Sequence, residues 1–344
     1  MTPRIALLTL FCILSLSSIA QKKARLIKSG EIIKAGIKLY DDGKYKDALS
    51  EFEKIPAGDT NYVWALYESA LTCAADSQYS RGIAFCEKGL SARTEKHRHP
   101  ELLSQYGSLL DYDNQQARSL QVFDSAIAIY PAYTSLYVNK GTTLIRMERY
   151  AEAEKVFQEA LLINPYSSSC LFKMGIAAWG QGKMVPAFLS MIGYLMVEPD
   201  GRFSRNAINV LGEISKSTDA VTQLIDKRKE DPSENFSTVE QILLSKIALD
   251  PNYKIITELD DPIARQVQVA FEKLSFDESE KDFYMQFFVP LYKKIFNEKK
   301  YEYFVNYIFS DVNIPKIQEF NKKKKKDIES LKNDIIEYFN LVRQ

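Results

Sequence analysis

Histidine is nearly absent: His97 and His99 are the only two in 344 residues. Zinc usually takes three or four protein ligands, so two imidazoles in one short stretch argue against a metal role. The expected metal and cofactor set is none. Cysteine is almost as scarce. Cys12, Cys73, Cys86 and Cys170 do not amount to a disulfide framework. Neither sign of charge is in excess, with 45 basic and 45 acidic side chains. Phosphate binding needs a clustered basic surplus, so no nucleic-acid partner is expected. Also missing are CxxC, HExxH, a Gly-rich phosphate loop and a nucleophile elbow. No catalytic residue can be nominated, and the expectation is a protein that is not an enzyme. Glycine is low at 14 residues and β-branched alternation is rare. Both features favour an all-α fold.

Long apolar runs are confined to the beginning. Arg4 supplies a basic start, "IALLTLFCILSL" an apolar stretch of signal-peptide length, and Ser18 and Ala20 the small residues before a cleavage point. The stretch is too short to span a bilayer comfortably. We read residues 1–20 as a signal peptide cleaved after Ala20, which places the mature chain in the periplasm of a Gram-negative bacterium or outside the cell. Cys12 lies inside the apolar run, too early to be lipid-modified. No later stretch is long and apolar enough for a membrane helix.

What the sequence does have is a period. Pro131, Pro165 and Pro199 are spaced by 34 residues. Walking back from Pro165 gives Ala160, Phe157, Ala153, Tyr150, Gly141 and Tyr137. The same walk from Pro131 gives Ala126, Phe123, Ser119 and Gly107, and from Pro199 it gives Tyr194, Met191, Ala187 and Gly175. Two earlier units keep the rhythm more loosely through Gly36, Ala48 and Phe52, and through Ala70, Gly82 and Cys86. Small residues seven apart lie on one helix face and permit close packing. Proline ends each second helix because it disfavours helical geometry in the residue before it.

This pattern resembles the tetratricopeptide repeat, a 34-residue helix–turn–helix unit. The match covers five repeats: 29–62, 63–96, 100–133, 134–167 and 168–201. The resemblance implies an all-α, right-handed superhelical solenoid whose first helices line a groove that holds partner peptides. Positions 4, 8 and 11 of each first helix form the packed face, and positions 5, 9 and 12 form a separate stripe. That stripe reads Ile33, Ile37, Tyr40; Tyr67, Leu71, Ala74; Ser104, Ser108, Asp111; Val138, Thr142, Ile145; and Phe172, Ile176, Trp179. Either these residues pack between repeats or against a C-terminal region folded into the groove, or the groove is open. In the second case Tyr40, Tyr67, Tyr112, Phe172, Ile176 and Trp179 are the candidate partner-binding residues. Some members of the family hold a C-terminal carboxylate with a Lys, Asn and Arg clamp. Ile33 and Ile37 stand where its first residues belong, which disfavours recognition of chaperone tails.

Cys73 and Cys86 hold positions 11 and 24 of the second repeat, on facing helices. Two readings stand: small apolar core residues, or a disulfide formed after export to an oxidising compartment.

After Gly201 the repeat decays. Residues 202–229 read as a helix pair that caps the last repeat. "EDPSENFS" is a polar break, and a second helical region follows over 236–344, with Ser237 as its opening cap and Pro262 at the first position of a later helix. Its many Phe and Tyr residues read as an aromatic helical core. Lys322 to Lys326 read as a solvated collar on a surface helix whose apolar face carries Ile317, Ile328, Leu331, Ile335 and Phe339. The functional expectation is a non-catalytic scaffold in the cell envelope that binds a peptide or protein partner. The alternatives are an accessory protein for glycan uptake, whose aromatics stack on sugars, and the non-catalytic part of a larger enzyme.

Overall fold

The computed structural model describes residues 28–92, 99–229, 234–310, 312 and 314–343. The expected leader over 1–20, its cleavage after Ala20, His97 and part of the polar break lie outside these residues. Among the described residues every regular element is a helix, and helices follow one another in packed pairs. Among the described residues the chain is an all-α protein of repeated helix pairs. It divides into two compact units, Met1–Leu102 and Leu103–Gln344.

The first unit holds α1 (Ser29–Asp41), α2 (Tyr45–Phe52), α3 (Tyr62–Ala75) and α4 (Tyr79–Ser91). The ring of Phe52 lies against Gly36, where no side chain would fit. Ile33, Ala48, Ile55, Tyr62, Ala65 and Leu66 complete a core around it.

The division falls within α5 (His99–Tyr112). The second unit continues with α6 (Gln116–Ile129), α7 (Thr134–Arg146), α8 (Tyr150–Ile163), α9 (Ser168–Gly180) and α10 (Met184–Val197). A methyl group at Gly107 would sit 2.5 Å from the Phe123 ring, and Gly141 meets Phe157 in the same way. This close approach is why the repeat needs glycine in the first helix and a large residue 16 positions later.

Each turn inside a helix pair has one residue at positive φ: Gly43, Ser77, Asn114, Glu148 and Gly182. The next N–H then reaches back to the first helix, as in Lys44 to Leu39 at 2.8 Å, Gln115 to Leu110 at 2.7 Å and Arg149 to Leu144 at 2.9 Å. This is the Schellman ending, in which a left-handed residue lets the chain satisfy carbonyls the helix leaves open. It reverses the chain the same way in every pair, including the turns where serine, asparagine or glutamate replaces glycine.

Helix α10 departs from its predecessors. Met184 through Met196 are all buried. One side packs on α9, and the other is covered by the chain that follows. Next come α11 (Ser204–Lys216), α12 (Asp219–Asp226), α13 (Glu234–Ser245), α14 (Pro262–Lys273), α15 (Phe283–Phe287), α16 (Val289–Asn297), α17 (Tyr301–Ile308), α18 (Pro315–Lys323) and α19 (Lys325–Val342). Tyr292 donates its hydroxyl to the Leu189 carbonyl at 2.9 Å, Tyr307 donates to that of Met196 at 3.1 Å, and the Phe288 ring rests on Gly193. Phe271 stacks on Tyr292 with centroids 4.6 Å apart. The dense aromatics are a core, and α10 is its floor.

Two details differ from expectation. Ser237 lies inside α13, which starts at Glu234, so it is not a cap. The five lysines are exposed, but they straddle a break at Lys324 between α18 and α19 rather than decorating one helix. Asp261 does cap α14, accepting from the Ile263 N–H at 2.8 Å ahead of Pro262.

Candidate binding face on the first helices

In the first unit, Ile33 is wholly buried because the start of the next pair, Tyr62 to Leu66, closes over it. Tyr40 is half-buried with its ring 5.7 Å from Tyr45, and Tyr67 is half-buried.

In the second unit the face is formed by α5, α7 and α9. Val138, Thr142, Ile145, Ile176 and Trp179 are half-buried, while Ser104 and Asp111 are buried. Phe172 is also buried: Phe203, in the connection to α11, stacks on it at 4.5 Å and nearly parallel, and Tyr194 meets its edge. Tyr112 is the most exposed of the candidates at 42%, with the Arg146 guanidinium 4.6 Å over its ring.

Polar contacts tie neighbouring first helices together. The Asn139 amide donates to Ser104 Oγ at 2.8 Å, and Arg146 pairs with Asp111 at 2.6 Å. One repeat later the acceptor positions are Val138 and Ile145, and Asn139 is replaced by Lys173. Lys173 Nζ has no hydrogen-bond or ion-pair partner among the described residues. Its pKa lies below the ordinary lysine value, chiefly through burial and next through the charge of Arg146, with Arg202 adding to it. Arg202 itself leans on the Phe203 ring at 5.4 Å. These cations do not stand out in the sequence; comparing residues 34 apart is the signal that reveals the lost acceptors. The pH dependence of acetylation, read by mass spectrometry, is expected to give Lys173 a midpoint below that of a free lysine side chain, because a lowered pKa frees the amine at lower pH.

The C-terminal region packs on the second helices. Besides its contacts with α10, it reaches α8 through Tyr284, whose hydroxyl donates to Glu154 Oε1 at 2.6 Å. The principal packing partners of α9 are α7, α8 and α10.

Cys73 and Cys86 are free, buried thiols on α3 and α4. Burial pushes the Cys73 thiol up to about 11, and burial followed by Cys73 itself raises Cys86 further. Such thiols hold little thiolate at neutral pH and react slowly. A cleft of about 370 Å³ at the turns after α7 and α9 is lined by Arg149, Tyr150, Glu152 and Lys183, with Lys227, Arg228 and Lys229 at its other side. Arg149 pairs with Glu152 at 2.5 Å, Lys183 with Glu154 at 2.9 Å and Arg228 with Glu240 at 2.5 Å, so these three cations are already engaged. Among the described residues no three His, Cys, Asp or Glu side chains converge on a metal position, and no helix is long and apolar enough to cross a membrane.

No family profile and no curated protein matches the chain. Among solved structures it is similar to YrrB, described as a TPR protein with an unusual peptide-binding site, at 18% identity and a TM-score of 0.40, over 56% of this chain and 97% of that one. It is also similar to MamA AMB-1, at 14% identity and a TM-score of 0.37, over 52% of this chain and 96% of that one.

Proposed function

We propose that this all-α tetratricopeptide-type protein is a non-catalytic scaffold of the cell envelope that binds a peptide or protein partner along its first-helix face. One observation carries the reading. The C-terminal region docks on the second helices, and Ile145, Ile176 and Trp179 remain half-buried on the other side of the array. Half-buried apolar and aromatic side chains are the usual anchors of a protein interface. The envelope assignment rests on the leader pattern in residues 1–20. A sugar platform is less favoured, since it needs an open aromatic face and Tyr112 carries Arg146 over its ring.

Photo-crosslinking tests the reading. A crosslinking residue in place of Trp179 is expected to give a discrete adduct in cells, and one in place of Ile129, 65% exposed on α6, is not. Trp179→Ala is expected to weaken the captured complex by about 1–2 kcal/mol. Phe172→Ala is a poorer test, because the ring is buried under Phe203 and its loss unsettles the fold. If position 179 gives no adduct that Ile129 lacks, the reading fails. Sequencing the mature N-terminus, expected at Gln21, tests export separately.

A further inference from the structure

Cations on a protein surface usually find a carboxylate or open water. Lys173 has no carboxylate partner among the described residues: it is half-buried, and the two charged side chains that act on it, Arg146 and Arg202, are both positive. Arg202 likewise has no carboxylate partner among the described residues. Only Arg146 is engaged, by the buried carboxylate of Asp111. Packing keeps the group together. Phe172, beside Lys173 on α9, stacks on Phe203, which carries Arg202 over its ring, while Arg146 is held by Tyr112 and Asp111. Arg146 and Arg202 are exposed and Lys173 is half-buried, and like charges gathered together repel one another. An anion placed among them relieves that repulsion and gains charge-assisted hydrogen bonds.

We propose that Lys173, Arg146 and Arg202 form an anion-binding station on the first-helix face that receives the side-chain carboxylates of an acidic, extended segment of a protein partner. This rests on the partner-binding reading of that face and names the chemistry of the partner. A peptide fits better than a lone anion because the half-buried Ile176 and Trp179 follow Lys173 along the same helix, at the next turns. Acidic residues beside apolar ones therefore match the sequence of surfaces that α9 presents.

The test uses the full chain and a short fluorescent peptide of glutamates and leucines, blocked at both ends so that no terminal carboxylate takes part. Its twin carries glutamine for glutamate. Fluorescence anisotropy is expected to show the glutamate peptide binding about tenfold tighter or more, the size of a charge-assisted hydrogen bond. Lys173→Gln and Arg202→Gln should each remove most of that difference, and Lys173→Arg should keep it. Salt should weaken the glutamate peptide only. Thermal melting controls for folding: Lys173 has no partner to lose, so Lys173→Gln is expected to melt no lower than the parent. Equal affinity for the two peptides, no binding of either, or full discrimination by Lys173→Gln overturns the proposal. So does a single-stranded oligodeoxynucleotide that binds more tightly than the glutamate peptide. If these fail while a crosslinker at position 179 still captures a partner, the groove reading stands and only the anion station falls.

Discussion

Leu189→Lys is expected to destabilise the chain by several kcal/mol, the effective cost of burying one unpaired ion. Lys155→Leu, at the equivalent position of the preceding repeat, is expected to change stability by less than about 0.5 kcal/mol, as exposed substitutions do. The two positions lie 34 residues apart on successive second helices, α8 and α10, and differ only in what covers them. Lys155 is exposed. Leu189 is wholly buried, and its carbonyl accepts from Tyr292 of the C-terminal region. A lysine at 189 must therefore either leave water or push the aromatic core off α10. Urea unfolding followed by the fluorescence of Trp179, on the adjoining α9, reads the difference. Equal midpoints for Leu189→Lys and the parent would mean that the C-terminal region does not rest on this face.

That contrast is legible in the amino-acid sequence. Lys155, Gln158 and Glu159 of α8 become Leu189, Ile192 and Gly193 of α10. A solvent face that turns apolar within a regular repeat announces a covering partner. The period also locates the helix pairs and the glycine–phenylalanine contacts, because these depend on residues within one repeat. Outside the repeat, element bounds are harder to read. Ser237 resembles a cap because serine favours that position, yet α13 begins three residues earlier. The lysine run resembles one helix surface because nothing local signals a break at Lys324.

The binding face is legible as a set of positions but not as a surface. Positions 5, 9 and 12 do fall on one side of each first helix. Their exposure depends on neighbours the stripe does not contain. Phe203, which covers Phe172, belongs to a connection after the last repeat, where the register has lapsed. Ile33 is closed over by the start of the following pair. What remains on α7 and α9 is a narrower face, apolar at Ile145, Ile176 and Trp179 and positive at Arg146 and Lys173. The two faces of the array thus differ: the second helices hold the chain's own C-terminal region, and the first helices present the narrower face to which the proposed function assigns a partner.

The hold on the C-terminal region has a polar centre at Glu154, and Glu154→Ala is expected to cost about 3 kcal/mol, the lower end of the range for breaking a buried pair. The side chain is 6% exposed. Its Oε2 accepts from Lys183 Nζ at 2.9 Å and Gln181 Nε2 at 2.8 Å, and its Oε1 from the Tyr284 hydroxyl. One carboxylate therefore joins α8, the turn before α10, and α15. Removing it leaves a largely buried ammonium and a wholly buried hydroxyl without their acceptor. Lys183 keeps 26% of its side chain exposed, which is why the lower figure applies. Adding Lys183→Met to Glu154→Ala should recover part of the loss, since no ion is then stranded. Tyr284→Phe alone should cost about 1 kcal/mol, the net worth of one hydrogen bond, though the Glu154 oxygen it leaves adds to that. A double-mutant cycle between positions 154 and 284, measured by urea unfolding, should return a coupling of about 0.5–3 kcal/mol, because the groups touch. A coupling of zero would mean that Tyr284 does not anchor the C-terminal region to α8, and that the packing and hydrogen bonds against α10 hold it instead.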